Sequence, residues 1–123
     1  MRPAAASHDV SDPQVLVVCL CAQWCGVCRD YDRVFTLVRE RFPGMRFVWV
    51  DVEDQADLLD PIEVENFPTL LIAHATEPRF FGPLTPQPAM LERIVRERST
   101  HHDPALAQRA DLRALVVRLR AAG

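Results

Sequence analysis

All four cysteines of this 123-residue chain, Cys19, Cys21, Cys25 and Cys28, lie within ten residues of one another. A secreted disulfide scaffold spreads its cysteines along the chain to cross-link distant parts. A cluster this tight points to thiol chemistry or metal binding. Cys25-Gly26-Val27-Cys28 is a C-x-x-C run. If Cys25 opens a helix, unpaired N–H groups and the positive end of the helix dipole favour its thiolate. The thiolate is the nucleophile of thiol–disulfide exchange. Cys28, three residues on, lies one turn into that helix, close enough to close a disulfide with Cys25. Gly26 removes bulk beside the attacking sulfur. The four sulfurs are also enough to ligate zinc. Against that, Cys19 and Cys21 share one face of a strand, while Cys25 and Cys28 lie beyond its end. A common tetrahedron would require the strand to break. Cys19 and Cys21 read as small buried hydrophobes, and Cys21 is near enough to the motif to serve as a regulatory thiol.

The elements around the motif are legible from patterning. Gln14 to Leu20 is apolar and β-branched with almost no alternation, as in a strand buried on both faces. After the motif, Val27, Tyr31, Val34, Phe35, Val38 and Phe42 recur at helical spacing, with charges between them. Pro43-Gly44 stops that helix. Arg46 to Val52 reads as a second buried strand. Glu53 to Glu63 reads as an acidic loop with one short helical turn. It lacks the spacing of a calcium loop. Thr69 to His74 is a third strand, Glu77-Pro78 a turn, and Arg79 to Phe81 a short edge strand ended by Gly82-Pro83. Pro86 to Arg98 is a helix. Asp103 reads as the N-cap of a last helix, Pro104 to Ala121, with an apolar stripe at Leu112, Leu115, Val116 and Leu119. Arg109, Arg113 and Arg120 on that helix read as a solvated face, and His101-His102 as solvated side chains. Trp49 reads as packing.

The first strand, helix and second strand imply a parallel pair, and the third and fourth strands an antiparallel hairpin. The fold class is α/β, a central mixed sheet of about four strands flanked by helices, with an extra C-terminal helix. The chain divides into a flexible leader (1–13), one domain (14–98) and a C-terminal helical extension (99–123) packed on or beside that domain. A formal charge of −3 argues against a nucleic-acid partner. The longest apolar run, Val15 to Ala22, is far too short to span a membrane. The N-terminus lacks a signal-like apolar stretch, so the expected location is the cytoplasm, or the periplasm if a signal has been removed. A monomer is expected.

From Gln14 to Arg98 the chain resembles the thioredoxin family. The resemblance rests on Ala22-Gln23-Trp24-Cys25-Gly26-Val27-Cys28 after a buried strand and on Phe67-Pro68-Thr69 opening the third strand. Gly82 after the fourth strand, and the helix that follows, add to it. The resemblance implies a thiol–disulfide oxidoreductase acting on protein disulfides, with Cys25 as nucleophile and Cys28 as resolving cysteine. The Cys25–Cys28 pair would be its redox-active disulfide, with no other cofactor and no metal. It implies a cis peptide at Phe67-Pro68, and a substrate platform of Trp24, Gly26, Val27, Phe67, Pro68 and Thr69 that holds a peptide by main-chain hydrogen bonds. Electrons would come from a reductase or glutathione, with reduction as the working direction. The other classes considered are a non-catalytic interaction module of the same fold and a Cys-ligated metal protein.

The sequence departs from the family pattern in four places. Val27 stands where thioredoxin itself has proline. Cys19 stands where the family has a buried acid, so proton removal from Cys28 loses its usual helper. Arg33 replaces a helix-kinking proline. Residues 1–13 leave little room for the family's first strand and helix, and the C-terminal helix is expected to cover the surface thereby left bare.

Overall fold

The structure, a computed structural model, describes residues 13–22, 25–85 and 87–122. The leader up to residue 12, Trp24 and Pro86 lie outside the described residues.

Four strands form one mixed sheet: β1 (Val15–Cys21), β2 (Arg46–Asp51), β3 (Thr69–His74) and β4 (Glu77–Pro83). Their order across the sheet is β2-β1-β3-β4. β1 and β2 are parallel, with Val17 level with Phe47 and Cys21 level with Asp51. β1 and β3 are antiparallel, as are β3 and β4. Five helices complete the chain: α1 (Gly26–Arg39), α2 (Ala56–Leu59), α3 (Pro88–Arg98), α4 (Pro104–Ala107) and α5 (Ala110–Ala122). No helix among the described residues is long and apolar enough to cross a membrane.

The absence of alternation in β1 has a direct cause. Its residues are buried on both faces of the sheet. Val17, Cys19 and Cys21 join one core with Tyr31, Phe35 and Val38 of α1 and Leu91 and Val95 of α3. Leu16, Val18 and Leu20 join a second core with Leu112, Leu115, Val116 and Leu119 of α5. The stripe on α5 therefore faces the sheet from the side opposite α1 and α3. The amphipathic pattern of α1 likewise puts Cys28 on its inward face.

Several boundaries differ from the sequence reading. β1 runs one residue further than expected and ends on Cys21. The β3–β4 turn is at Ala75-Thr76, not Glu77-Pro78, because Glu77 already pairs with His74. Pro78 is tolerated inside β4 because this strand is at the sheet edge, next to a bulge at Ile72/Ala73. The expected last helix is two helices, α4 and α5, interrupted at Gln108-Arg109. Asp103 is the N-cap of α4, accepting hydrogen bonds from the backbone N–H groups of Ala105 and Leu106 at 3.1 and 3.2 Å. Arg113 and Arg120 on α5, and Arg109 in the interruption before it, are hydrogen-bonded within the protein. Arg120 donates to the carbonyls of Ala75, Pro13 and Gln14 at 2.9, 2.9 and 2.7 Å. Arg113 donates to the Ala107 carbonyl, and Arg109 forks onto Asp111. His102 is hydrogen-bonded to Glu77 rather than to water alone.

Candidate active site

The C-terminal end of β1 delivers the chain directly to the N-terminus of α1. Cys25 is the N-cap residue of α1, with extended backbone at φ −85° and ψ 121°. Its N–H donates to the Ala22 carbonyl at 3.0 Å. Its own carbonyl accepts from the Arg29 N–H at 3.2 Å, the first bond of the helix. The Cys25 thiol is free and half-buried. Gly26 and Val27 are exposed beside it, Val27 at 43%. One turn further on, Cys28 is 1% exposed.

The sulfur pairing differs from the expected one. Cys28 is bonded to Cys21, with Cα atoms 5.8 Å apart, and Cys25 stays a free thiol. The cause is side-chain parity. Cys21 is the last residue of β1 and faces α1. The inward face of α1 places Cys28 over it without any break in the strand. Cys21, 1% exposed, is therefore a sulfur partner that sequence reasoning treated mainly as packing. The signal was present: Cys19 and Cys21 share the face on which an inward Cys28 must land.

Cys19 lies on that same face, fully buried, its Sγ 3.7 Å from the Cys21 Sγ. Burial pushes its thiol up to about 12, with the Asp32 carboxylate adding to the effect. At neutral pH Cys19 holds its proton and does not act as a base toward Cys28. Tyr31 is fully buried in the same cluster, and its hydroxyl has no hydrogen-bond partner among the described residues. Burial pushes its phenol far above the ordinary range. Among the described residues no group of three or more His, Cys, Asp and Glu side chains is arranged to hold a metal ion.

Phe67-Pro68 is a cis peptide. The antiparallel register pairs Leu20 with Thr69, so Pro68 is one step beyond, level with Cys21 at the end of β1. Pro68 is buried, and its carbonyl accepts from the Leu84 N–H at 3.2 Å. The Thr69 hydroxyl donates to the Asn66 carbonyl at 2.5 Å and closes the loop on itself. Phe67 and Cys25 pack against the same core cluster, which contains Cys28. Thus Cys25, Gly26, Val27, Phe67, Pro68 and Thr69 gather at one end of the sheet, whereas Trp24 lies outside the described residues. A cleft beside Cys28 is lined by Ala22, Arg29, Asp32, Trp49, Asp51 and Asp54. Trp49 also packs edge-on against Phe35, with ring centroids 5.9 Å apart.

A sequence model of one family, described as Thioredoxin, matches residues 3–85, well over half of the chain. The chain belongs to the thioredoxin family. Among curated thioredoxins, an H-type thioredoxin of Oryza sativa subsp. indica is 36% identical over 58 residues, which are 47% of this chain and 48% of that protein. The chain thus spans about half the length of that relative. The putative thioredoxin 2 of Streptomyces coelicolor is 28% identical over 97 residues, covering 78% of this chain and 72% of its own. The Fasciola hepatica thioredoxin structure superposes with a TM-score of 0.64 at 19% identity, over 77% of this chain and 90% of that one. That likeness bears on the fold, a thioredoxin-like four-stranded mixed sheet flanked by helices. The family is one of thiol–disulfide oxidoreductases, and a C-x-x-C at a strand-to-helix junction fits that chemistry.

Proposed function

We propose that this thioredoxin-family protein reduces protein disulfides by dithiol exchange through Cys25 and Cys28. The observation that carries the reading is the free, half-buried Cys25 thiol at the N-cap of α1, with Cys28 buried one turn behind it. Only a thiolate attacks a disulfide, and access decides which thiol meets the substrate first. Cys25 attacks one sulfur of the substrate disulfide. A Cys25–substrate bond forms, and the other substrate sulfur leaves as a thiolate. Cys28 then attacks Cys25, the Cys25–Cys28 bond forms, and the substrate leaves with both sulfurs reduced.

The cis-Pro68 loop, exposed Gly26 and Val27, Phe67 and Thr69 border the point of attack and suit an extended peptide bound by its main chain. Trp24, next in sequence to Cys25, belongs to the same platform in this reading. The dithiol is restored by a reductase or by glutathione, in a reducing compartment such as the cytoplasm, and no other cofactor enters. The protein acts as a monomer.

The test is reduction of a disulfide-bonded protein with dithiothreitol as the electron source. Cys25→Ser is expected to lower the rate about 100-fold or more, since it removes the accessible thiol and leaves Cys19, Cys21 and Cys28, all buried. Cys28→Ser is expected to accumulate a mixed disulfide at Cys25. Undiminished turnover by Cys25→Ser would overturn the proposal. So would partners that bind equally well after both cysteines are replaced, which is the behaviour of a non-catalytic interaction module.

A further inference from the structure

Two sulfurs compete for Cys28. One is Cys25, three residues earlier on the same helix. The other is Cys21 on β1, to which Cys28 is bonded. We infer that Cys21 is a second resolving cysteine, which moves the disulfide inward to Cys21–Cys28 and returns Cys25 to the surface as a free thiol while the protein stays oxidised. The inference rests on the proposed exchange through Cys25 and Cys28 and adds a step to it.

The step is an internal exchange. Once Cys25–Cys28 has formed, Cys21 releases its proton to solvent and its thiolate attacks the Cys28 Sγ. The Cys21–Cys28 bond forms and the Cys25–Cys28 bond breaks. Cys25 leaves as a thiolate and takes a proton from solvent. One disulfide replaces another, with no net oxidation. The opposite attack, by the Cys25 thiolate on Cys28, brings the disulfide back to the surface for reduction.

Three observations favour this over a static cross-link. Cys21 and Cys28 are each 1% exposed, so an external thiol or disulfide has little access to either sulfur. Cys25 packs against the cluster that holds both of them and is itself partly accessible, so it is the route in and out. The relay also has an end. Cys19 lies 3.7 Å from the Cys21 sulfur, at hydrogen-bond and not bonding distance, and stays a free cysteine.

The consequence is chemical. A two-cysteine oxidoreductase in its disulfide form has no thiol left at the surface. This protein, oxidised by two electrons, still has Cys25 available for a second disulfide. With Cys28 engaged by Cys21, the mixed disulfide formed at Cys25 is not resolved, and the partner stays attached until the internal bond is reopened.

The experiment treats the reduced full chain with excess oxidised glutathione, quenches with acid and weighs the intact protein. Free thiols are blocked with one alkylating agent and the disulfides are then reduced and labelled with a second. Fragmentation of the peptide carrying the four cysteines assigns each label. The wild type is expected to accumulate one species with a Cys21–Cys28 disulfide and one glutathione on Cys25. Cys21→Ser is expected to stop at Cys25–Cys28 with no glutathione on Cys25. Cys25→Ser is expected to form Cys21–Cys28 about tenfold or more slowly, because the accessible thiol is gone.

A wild type that stops at Cys25–Cys28 with Cys21 free would overturn the inference and leave the proposed function standing. Formation of Cys21–Cys28 in Cys25→Ser at the wild-type rate would also overturn it and make the bond a structural cross-link. Failure of both wild type and Cys21→Ser to form any disulfide through Cys25 would sink the proposed function itself.

Discussion

A single exchange of residue type sets the acid–base character beneath the site. Cys19 occupies the position where the family has a buried acid, and a thiol there is a weak substitute because burial raises it to about 12. The groups facing it are Cys21, Tyr31 and, across α1, the Asp32 carboxylate. The raised value has a consequence for stability. The folded state holds the Cys19 proton more tightly than the unfolded chain, whose thiol titrates near 9. The contribution is therefore full below pH 9 and drains as pH rises toward 12. Between pH 9 and 10.5 the loss is on the order of 1–2 kcal/mol for this group. Urea unfolding across that interval should show a shallower alkaline decline for Cys19→Ala than for the wild type. The variant starts from a lower stability because it leaves a small void. Parallel curves would show that Cys19 does not carry the slope. Tyr31 is raised too, chiefly by burial and in part by the Cys19 charge, so the difference between the two curves reads Cys19 together with its effect on Tyr31.

The elements were legible to different degrees, for physical reasons. β3 runs from Thr69 to His74 as its apolar run indicates, because a strand buried on both faces has nothing to interrupt it. The hairpin turn was misplaced because Pro78 is a strong turn signal, whereas Ala75, which adopts the left-handed φ of 55°, carries no signal at all. The break between α4 and α5 contains neither glycine nor proline. It coincides with the Arg109 fork on Asp111 and a hydrogen bond from the Leu112 N–H to Asp111 at 2.8 Å, which are tertiary and local details rather than periodicity. Within the site, the C-x-x-C motif at a strand-to-helix junction was readable from the residues, the cis peptide at Phe67-Pro68 followed from the family resemblance alone, and the inward face of Cys28 was not in the apolar stripe read for α1. The partner of Cys28 was misassigned because the nearer sulfur, Cys25, three residues away, satisfies the motif, whereas Cys21, seven residues away, is brought to Cys28 by the packing of α1 on β1. Arg120 was misread in the same way. Its planar fork collects three carbonyls from Pro13, Gln14 and Ala75, joining α5 to the start of β1 and to the hairpin turn. Replacing it with methionine keeps the stem but strips the donors, and should cost about 2 kcal/mol in denaturant unfolding. Arg120→Lys should recover less than half of that, since an ammonium is a point donor and not a fork. Full recovery by lysine would mean that charge alone matters there.

At the scale of the whole molecule, the sheet separates chemistry from support. The cysteines, α1 and α3 belong to one face, and α5 closes the other with Leu112, Leu115, Val116 and Leu119 against Leu16, Val18, Leu20, Leu71 and Ala73. Truncating one such leucine to alanine typically costs about 2–5 kcal/mol. A domain of this size has only about 5–15 kcal/mol in total. Removing residues 99–123 takes away four of these side chains at once and bares the second face of β1, so the shortened chain should show no cooperative unfolding transition. A truncated chain that melts with the same midpoint as the full one would rule out α5 as part of the core. The milder variant Leu115→Ala separates the two faces. It should lose about 2–5 kcal/mol of unfolding free energy, yet alkylate at Cys25 at the wild-type rate under conditions where the variant stays folded. A change in that rate would mean the two faces are coupled through the sheet. β1 contributes Leu16, Val18 and Leu20 to one core and Val17, Cys19 and Cys21 to the other, and β3 divides Leu71 and Ala73 from Leu70 and Ile72 in the same way, so packing beneath α5 has a route to the sulfurs through both central strands.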